Sequence, residues 1–138
     1  MAAYWVFKSE PSKYPWEQLV TDGQTHWDGV RNHQAANNLK AMRLGDRGFF
    51  YHSNIGLQMV GVVEVTREYH PDPSDPTARF GMVAVRPLLP LTTPVTLKQI
   101  KADPLLSGMA LVRQSRLSVC PVTDDEWQAL CRLGGLTA

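Results

Sequence analysis

The sequence predicts an α+β fold, in which five or six strands form a small, closed or strongly curved mixed β-sheet with three or four helices around it. Three observations lead to this prediction. Segments typical of strands and of helices alternate along the chain. Residues 59–65 are almost entirely apolar, which is typical of a strand inside a sheet. Two later segments begin with a capping-box signal, at Thr96 and at Thr123.

The first half of the chain alternates strongly. Residues 4–8, rich in aromatic and β-branched types, predict a first strand that ends before Pro11. Pro15 suits the first turn of a short helix that ends at Asp22-Gly23. One face of this helix is apolar and should be buried: Trp16, Leu19 and Val20. A loop through residues 27–32 follows.

Residues 32–42 predict a second helix, since apolar side chains recur on one face: Ala35, Leu39 and Met42. A turn at residues 44–46 precedes a second strand over 49–52. Residues 54–56 have the composition of a hairpin turn, and they lead into the apolar third strand over 59–65.

The second half begins with a proline-rich loop over residues 70–76 and a fourth strand over 82–85. Residues 88–94 should stay extended, because each proline disfavours helix. A third helix starts at Thr96 and ends at Asp103-Pro104. Residues 116–122 predict the last strand, and a final helix runs from Thr123 to Gly134.

The chain has 138 residues, 43% of them hydrophobic, and a formal net charge of +1. This fits one domain over residues 1–138 with a substantial core. Proteins that hold duplex DNA by its backbone are usually strongly basic, so any contact with nucleic acid must depend on a local site. Two cysteines, Cys120 and Cys131, and no signal-peptide pattern predict reduced thiols and a cytoplasmic location. No apolar run is long enough to cross a membrane.

The most informative segment is Trp27-Asp28-Gly29-Val30-Arg31-Asn32. It combines a flat ring, a glycine suited to a tight turn and several hydrogen-bonding side chains. Trp27, Gly29, Arg31 and Asn32 are therefore candidates for holding a planar ligand and reading its edges. Two alternatives remain open: Trp27 packs only in the core, and Asn32 caps the following helix.

Two further polar segments end predicted strands and are candidates for the wall of the same pocket: Lys8-Ser9-Glu10-Pro11 and Tyr51-His52-Ser53. Alternation places Tyr51 and Ser53 on one face of the strand and His52 on the other. Each segment also has a structural alternative. Residues 8–11 can form a simple turn, and a lone histidine is often a structural residue.

The fourth segment places two arginines and a glutamine just before a strand. Its candidate ligand-binding residues are Arg113, Gln114, Arg116 and Ser118. We expect at least one of the arginines to face the pocket. The alternative is a charged loop with ion pairs, which contribute little at a surface.

Several signatures of enzymes are missing from the sequence. The histidines and cysteines show no zinc spacing, and no phosphate-loop, dinucleotide-binding or Gly-x-Ser-x-Gly pattern occurs. We therefore expect neither a metal nor a cofactor, and binding is favoured over catalysis.

Four ordered motifs resemble those of the EVE domain family, which includes thymocyte nuclear protein-like proteins: residues 8–11, 27–32, 50–53 and 113–118. The resemblance runs from about Tyr4 to Leu136. It implies a PUA-like fold, a curved β-barrel with helices around it. It also implies binding of modified bases in DNA or RNA, in a pocket lined by Ser9, Trp27, Arg31, Asn32, Tyr51, His52 and residues 113–118.

The sequence thus predicts a nucleic-acid-associated module that reads modified bases, and it favours a monomer without fixing the oligomeric state. Two alternatives belong to other classes. One is an enzyme acting on a nucleotide or a small amide, with Glu10 or His52 as the acid–base group and Lys8 as its electrostatic partner. The other is a protein-interaction module that uses residues 88–94 or the 70–76 loop.

Overall fold

A computed structural model describes residues 3–136 of the protein. Its strands are β1 (Tyr4–Ser9), β2 (Thr25–His26), β3 (Arg47–His52), β4 (Gln58–Pro71), β5 (Gly81–Thr96) and β6 (Val119–Val122). Its helices are α1 (Trp16–Asp22), α2 (His33–Ala41), α3 (Leu97–Ala102), α4 (Ala110–Arg113) and α5 (Asp124–Leu133). None of these helices has both the length and the apolar character needed to span a membrane.

All six strands belong to one mixed sheet with the order β2-β5-β4-β3-β1-β6. β1 runs parallel to β3, and the other neighbouring pairs are antiparallel. The interior position of β4 confirms the prediction from its apolar sequence. The α+β class is also confirmed. Of the two predicted forms, closed or strongly curved, the structure has the curved one, because β2 and β6 remain two separate edges of the sheet.

The pairing of β4 with β5 shifts register at four places. Such bulges bend and twist a pair of strands. Pro87 and Pro90 lie in β5 opposite Val63 and Gly61, and neither proline can donate a backbone hydrogen bond. The extended conformation predicted for residues 88–94 is confirmed as part of this long, bent strand.

Local capping explains where three of the helices begin. Asn32 accepts a hydrogen bond from the backbone N–H of Ala35 at 2.9 Å and caps α2. Thr96 caps α3 and Thr123 caps α5, each in a complete capping box. These contacts confirm the predicted starts of the three helices. The predicted end of α5 at Gly134 is also confirmed.

The core is built largely from aromatic and aliphatic side chains, and Phe7, Phe49 and Phe50 are fully buried in it. Gly61 in β4 lets the indole of Trp16 lie directly on the strand backbone, because a Cβ atom there would overlap the ring. The Trp16 ring also meets Phe50 edge-on, with centroids 5.5 Å apart. This packing fixes α1 against the sheet.

The strand predicted over residues 116–122 is wrong in its first part. The chain forms the short helix α4 just before it, and the N–H of Leu117 then closes a turn on the carbonyl oxygen of Gln114 at 2.9 Å. The strand therefore starts only at Val119. Part of the arginine-rich segment is thus helix and turn, not strand.

Three smaller predictions are also corrected. Val20 is 52% exposed instead of buried, because α1 buries only Trp16 and Leu19. β2 is a strand of two residues inside a segment predicted to be loop. The proline-rich loop expected over residues 70–76 starts at Asp72, because β4 continues through Pro71.

Candidate functional site

Trp27 lies where β2 leaves the sheet. Its backbone N–H donates to the carbonyl oxygen of Val83 at 2.7 Å, which extends the pairing of β2 with β5. The half-buried indole meets the rings of Phe7 and Phe50 edge-on, with centroids 5.1 Å and 5.8 Å away. The same residue also lines a surface cavity. Trp27 therefore both packs against the core and borders this surface cavity.

This concavity, the Trp27 cavity, has a volume of about 340 Å³ and is lined by residues 8–10, 13–14 and 25–28. Ligand pockets in proteins commonly have volumes of about 300–1,000 Å³. Two aromatic residues, Tyr14 and Trp27, contribute to its walls. Lys8, Glu10 and Asp28 add charges of both signs. This combination suits a flat heterocycle with polar edges.

The end of β1 forms one wall of the Trp27 cavity. The hydroxyl of Ser9 donates to the carbonyl oxygen of Tyr14 at 2.6 Å, and the N–H of Ser53 donates to the carbonyl oxygen of Ser9 at 2.9 Å. The Lys8 ammonium donates to the carbonyl oxygen of Ser115 at 2.8 Å. Burial lowers the pKa of Lys8. Internal hydrogen bonds therefore hold this wall in place without a ligand.

Gly29 and Arg31 join the Trp27 segment to the loop after β4. The fully buried carboxylate of Asp72 accepts hydrogen bonds from the N–H of Gly29 at 2.8 Å and from the Arg31 guanidinium at 3.4 Å. Arg31 also donates to Ser74 Oγ at 3.0 Å. Burial alone would raise the pKa of Asp72, but the hydrogen bonds from Ser74, Gly29 and Arg31 hold it below its ordinary value. Arg31 therefore binds this loop and does not line the Trp27 cavity.

A second concavity, the Tyr51 cavity, has a volume of about 360 Å³ and adjoins the first, because Lys8 lines both. Tyr51 and Ser53 line it together, as the alternation along β3 predicted. Burial raises the pKa of the Tyr51 phenol. Tyr51 is therefore a neutral hydroxyl near physiological pH.

His52 faces away from these two cavities. Its Nε2 atom lies 3.1 Å from the backbone nitrogen of Trp16 and accepts that N–H. Burial lowers the pKa of His52, an effect that Glu17 opposes. The neutral ring therefore supports the start of α1, which matches the structural alternative for this histidine.

A third concavity, the arginine cavity, has a volume of about 320 Å³ and is lined by Asn32, Gln34 and residues 113–117. Arg113 Nε donates to the carbonyl oxygen of Gly108 at 2.6 Å, which ties this side chain to the preceding turn. Arg116 is exposed. Ser118 lies outside the lining, and its carbonyl oxygen accepts the backbone N–H of Lys8 at 3.0 Å.

The four sequence segments come together at one surface region without lining a single concavity. They border three neighbouring concavities, which are connected through Lys8 and Ser115. The predicted residues divide as follows: Lys8, Ser9 and Trp27 line the Trp27 cavity; Lys8, Tyr51 and Ser53 line the Tyr51 cavity; Asn32, Arg113, Gln114 and Arg116 line the arginine cavity; Gly29, Arg31, His52 and Ser118 line none of the three. Arg31 and His52 line no cavity because internal partners engage their side chains.

Sequence reasoning missed part of the Trp27 cavity. Tyr14, Thr25, His26 and Asp28 all line it. Asp28 stands inside the segment that the sequence singled out, so its position was a usable signal. Thr25 and His26 gave no signal, because a strand of two residues leaves no periodicity. Tyr14 reaches the cavity through the turn before α1.

Within residues 3–136, no group of three or more His, Cys, Asp or Glu side chains is arranged to hold a metal ion. The three cavities are lined instead by hydroxyl, amide and basic groups, and their carboxylates, Glu10 and Asp28, both lie in the Trp27 cavity.

Comparison with known proteins gives this arrangement a context. The sequence profile of the EVE domain matches residues 3–133. The chain belongs to the EVE domain family. The match covers all four segments discussed above, and it confirms the family resemblance seen in the sequence.

Solved structures share the fold of this EVE domain closely. Rpa0253 from Rhodopseudomonas palustris is 50% identical, with a TM-score of 0.94, and the match covers 99% of this chain and 96% of that one. Human THYN1, solved in complex with DNA containing 5-methylcytosine, is 29% identical with a TM-score of 0.91, covering 99% of this chain and 100% of that one. Rat thymocyte nuclear protein 1 is 33% identical, over 96% of this chain and 74% of the relative. The two solved structures confirm the predicted α+β fold, a curved mixed sheet with helices around it.

Proposed function

We propose that this EVE domain is a nucleic-acid-binding module that reads a modified base and holds that base in the Trp27 cavity. The observation that carries the proposal is the cavity itself, which combines an indole wall with charged groups of both signs at the end of β1. Human THYN1, a relative, was solved in complex with DNA containing 5-methylcytosine, which supports the same class of ligand for the present protein.

The chemistry of the Trp27 cavity favours a base with an exocyclic amino group. Carboxylates accept hydrogen bonds from the amino group of cytosine. Glu10 and Asp28 supply such acceptors, and the Lys8 ammonium supplies a donor on the same lining. The Trp27 ring offers an apolar face to the heterocycle. Cytosine and its modified forms therefore fit the lining well.

Energetics point to modest selectivity for a methyl group. Extruding a base from a duplex costs a few kcal/mol, and stacking on an aromatic ring contributes roughly 1–3 kcal/mol per base. Burying one additional methyl group contributes only about 0.8 kcal/mol, a factor of about four in affinity.

The cost of extruding the base applies to an intact duplex and is smallest for a mismatched or single-stranded base. We therefore expect tighter binding to single-stranded or mismatched substrates than to intact duplexes.

The arrangement of Glu10 and His52 favours binding over catalysis. His52 Nε2 accepts the N–H of Trp16, so it is engaged in a structural hydrogen bond. Glu10 forms an ion pair with the exposed Lys13 at 3.3 Å. Glu10 lines the Trp27 cavity together with Lys8, but its carboxylate is already engaged by Lys13, and His52 lines none of the three cavities.

Substitution of Trp27 tests the proposal directly. Trp27→Leu keeps an apolar side chain against Phe7 and Phe50 but removes the aromatic face. The variant should bind a single-stranded oligonucleotide with one 5-methylcytosine more weakly, with a free energy of binding less favourable by about 1–3 kcal/mol, because base stacking is lost. Titration calorimetry with the methylated and unmethylated strands measures the effect.

Trp27→Phe is the matched control, since it retains an aromatic ring and should keep most of the affinity. Thermal denaturation of both variants separates loss of binding from loss of folding. Equal affinity of the wild-type protein for methylated and unmethylated strands would overturn modified-base reading. If Trp27→Leu kept the full affinity, the base would have to bind outside the Trp27 cavity.

A further inference from the structure

The loop that joins β3 to β4 is strained, tightly anchored and apolar at its tip. We call residues 53–57 the Ile55 loop. Asn54, Gly56 and Leu57 have φ angles of 67°, 87° and 43°, so three of its five residues are left-handed. That conformation is uncommon for residues other than glycine, and for leucine it is a clear outlier. Outliers of this kind persist where the surrounding structure holds them, often at binding sites.

Hydrogen bonds at both ends hold the Ile55 loop in place. The N–H of Ser53 donates to the carbonyl oxygen of Ser9 at 2.9 Å, and the N–H of Leu97 in α3 donates to the carbonyl oxygen of Leu57 at 2.9 Å. Within the loop, the N–H of Ile55 donates to the carbonyl oxygen of Ser53 at 2.8 Å. The loop is therefore a preformed projection.

The loop presents two apolar side chains to solvent. Ile55 is 65% exposed and Leu57 is 42% exposed. Because its side chain is exposed at the tip of the loop, Ile55 contributes little to the packing of the hydrophobic core. An isolated exposed apolar residue is ordinary in proteins, so the significance of Ile55 lies in its position.

The Ile55 loop is connected to the Trp27 cavity through Ser9 and Lys8. Its first residue is hydrogen-bonded to Ser9, which lines that cavity. Ser53, Asn54 and Leu57 line the Tyr51 cavity, which shares Lys8 with the Trp27 cavity. A base held against Trp27 would therefore leave its duplex next to this loop.

The other flank of the loop is basic. Gly56 and Leu57 line a groove of about 430 Å³ together with Lys98 and Lys101 of α3. Both lysines are exposed, and neither forms an ion pair with any residue between 3 and 136. No carboxylate lines this groove. An apolar tip beside two free ammonium groups is complementary to a duplex, with its stacked bases and flanking phosphates.

We infer that the Ile55 loop is a wedge that enters a nucleic-acid duplex beside the extruded base, with Lys98 and Lys101 on the neighbouring phosphates. Apolar side chains such as isoleucine are inserted between base steps by many proteins that distort the duplex. Ile55 would occupy the gap that the extruded base leaves and so oppose its return. The inference depends on the proposed function, because a wedge needs a cavity that receives the base.

The decisive experiment compares one 5-methylcytosine strand in two forms, alone and in a matched duplex. Ile55→Ser should weaken binding to the duplex by about tenfold or more, since burial of an isoleucine side chain is lost. Its affinity for the single strand should stay within about twofold of wild type, because a single strand has no gap to fill. Ile55→Met, which keeps an apolar wedge, should bind the duplex nearly as well as the wild-type protein.

Leu44→Ser is the matched control. Leu44 is 63% exposed and precedes β3, whereas Ile55 follows the opposite end of that strand. Leu44→Ser should leave the affinities for the single strand and for the duplex unchanged. A 2-aminopurine beside the modified base gives a second readout, since its fluorescence rises on unstacking. Wild-type protein should raise the duplex signal, and Ile55→Ser should not.

Several results would overturn the wedge while leaving the base reader intact. These are an unchanged duplex affinity in Ile55→Ser, equal losses on both substrates, or a wild-type protein that selects the methylated single strand but binds no duplex. Unchanged affinities in Ile55→Ser would instead fit a loop that contacts a partner protein. If the wild-type protein did not select the methylated single strand, both the proposed function and the wedge would be contradicted.

Discussion

At the scale of single residues, His52 shows how a polar group near the cavities serves the fold. Its Nε2 accepts the N–H of Trp16 at 3.1 Å, and this bond requires an unprotonated nitrogen. Burial lowers its pKa in the folded protein, although Glu17 acts in the opposite direction. The unfolded chain therefore binds a proton more readily than the folded chain.

This difference predicts a stability that depends on pH. Because the unfolded state takes up more protons, the free energy of unfolding should decrease as the pH falls below about 6.5, the ordinary histidine pKa, toward the lower pKa of folded His52. His52→Gln retains an acceptor and does not titrate, so it should lose less stability between about pH 7.5 and about pH 5.5. Urea denaturation at the two pH values measures this difference.

His33→Gln controls for the removal of an imidazole from an exposed position on α2. It should keep the pH dependence of the wild-type protein. If His52→Gln kept that full dependence as well, the titrating group would lie elsewhere.

At the scale of elements, the close approach of α1 to β4 through Gly61 is a sensitive packing contact. A Cβ atom at Gly61 would overlap the indole of Trp16, which is buried and cannot easily move. Gly61→Ala should therefore destabilise the protein by about 1–3 kcal/mol through overpacking. Gly108→Ala is the matched control, because a Cβ atom there would meet no heavy atom within 4 Å. Denaturation by urea compares the two, and equal stabilities would show that Trp16 yields without strain.

Elements whose boundaries depend on local chemistry could be predicted from the sequence. The capping boxes at Thr96 and Thr123 are formed by residues three positions apart, so the signal lies in the sequence itself. β2 and α4 could not be predicted in this way. β2 exists only because it pairs with β5, and α4 begins without a side-chain cap. Their conformation depends on tertiary contacts.

At the scale of the whole molecule, the division into three cavities depends on contacts between distant parts of the chain. The sequence marks Arg31 as a candidate ligand-binding residue, whereas its side chain binds Asp72, which lies 41 positions away. Lys8 reaches Ser115 across 107 positions. No local pattern specifies such pairs. The segments that border the cavities could therefore be predicted, whereas the orientation of individual side chains could not.

The charge of the whole molecule makes a prediction about salt. A net charge of +1 gives the molecule little overall attraction for a polyanion, so contacts with phosphates should come only from cations beside the cavities. Three basic side chains are already in ion pairs: Lys13, Arg31 and Arg86. The logarithm of duplex affinity should fall with the logarithm of salt concentration by roughly 0.9 for each phosphate neutralised. We expect two or three such contacts, on the order of the number of free cations beside the cavities.

Replacing both Lys98 and Lys101 by alanine should reduce this slope by about one for each lysine that contacts a phosphate. Lys40→Ala removes a charge from α2, where the ammonium lies 5.6 Å from the centre of the Tyr69 ring, and it should leave the slope unchanged. Fluorescence anisotropy at several salt concentrations gives all three slopes. A wild-type slope that implied about six or more released ions would mean that an extended basic surface binds the backbone. In that case, a single base-binding cavity flanked by one loop would not describe how the molecule holds nucleic acid.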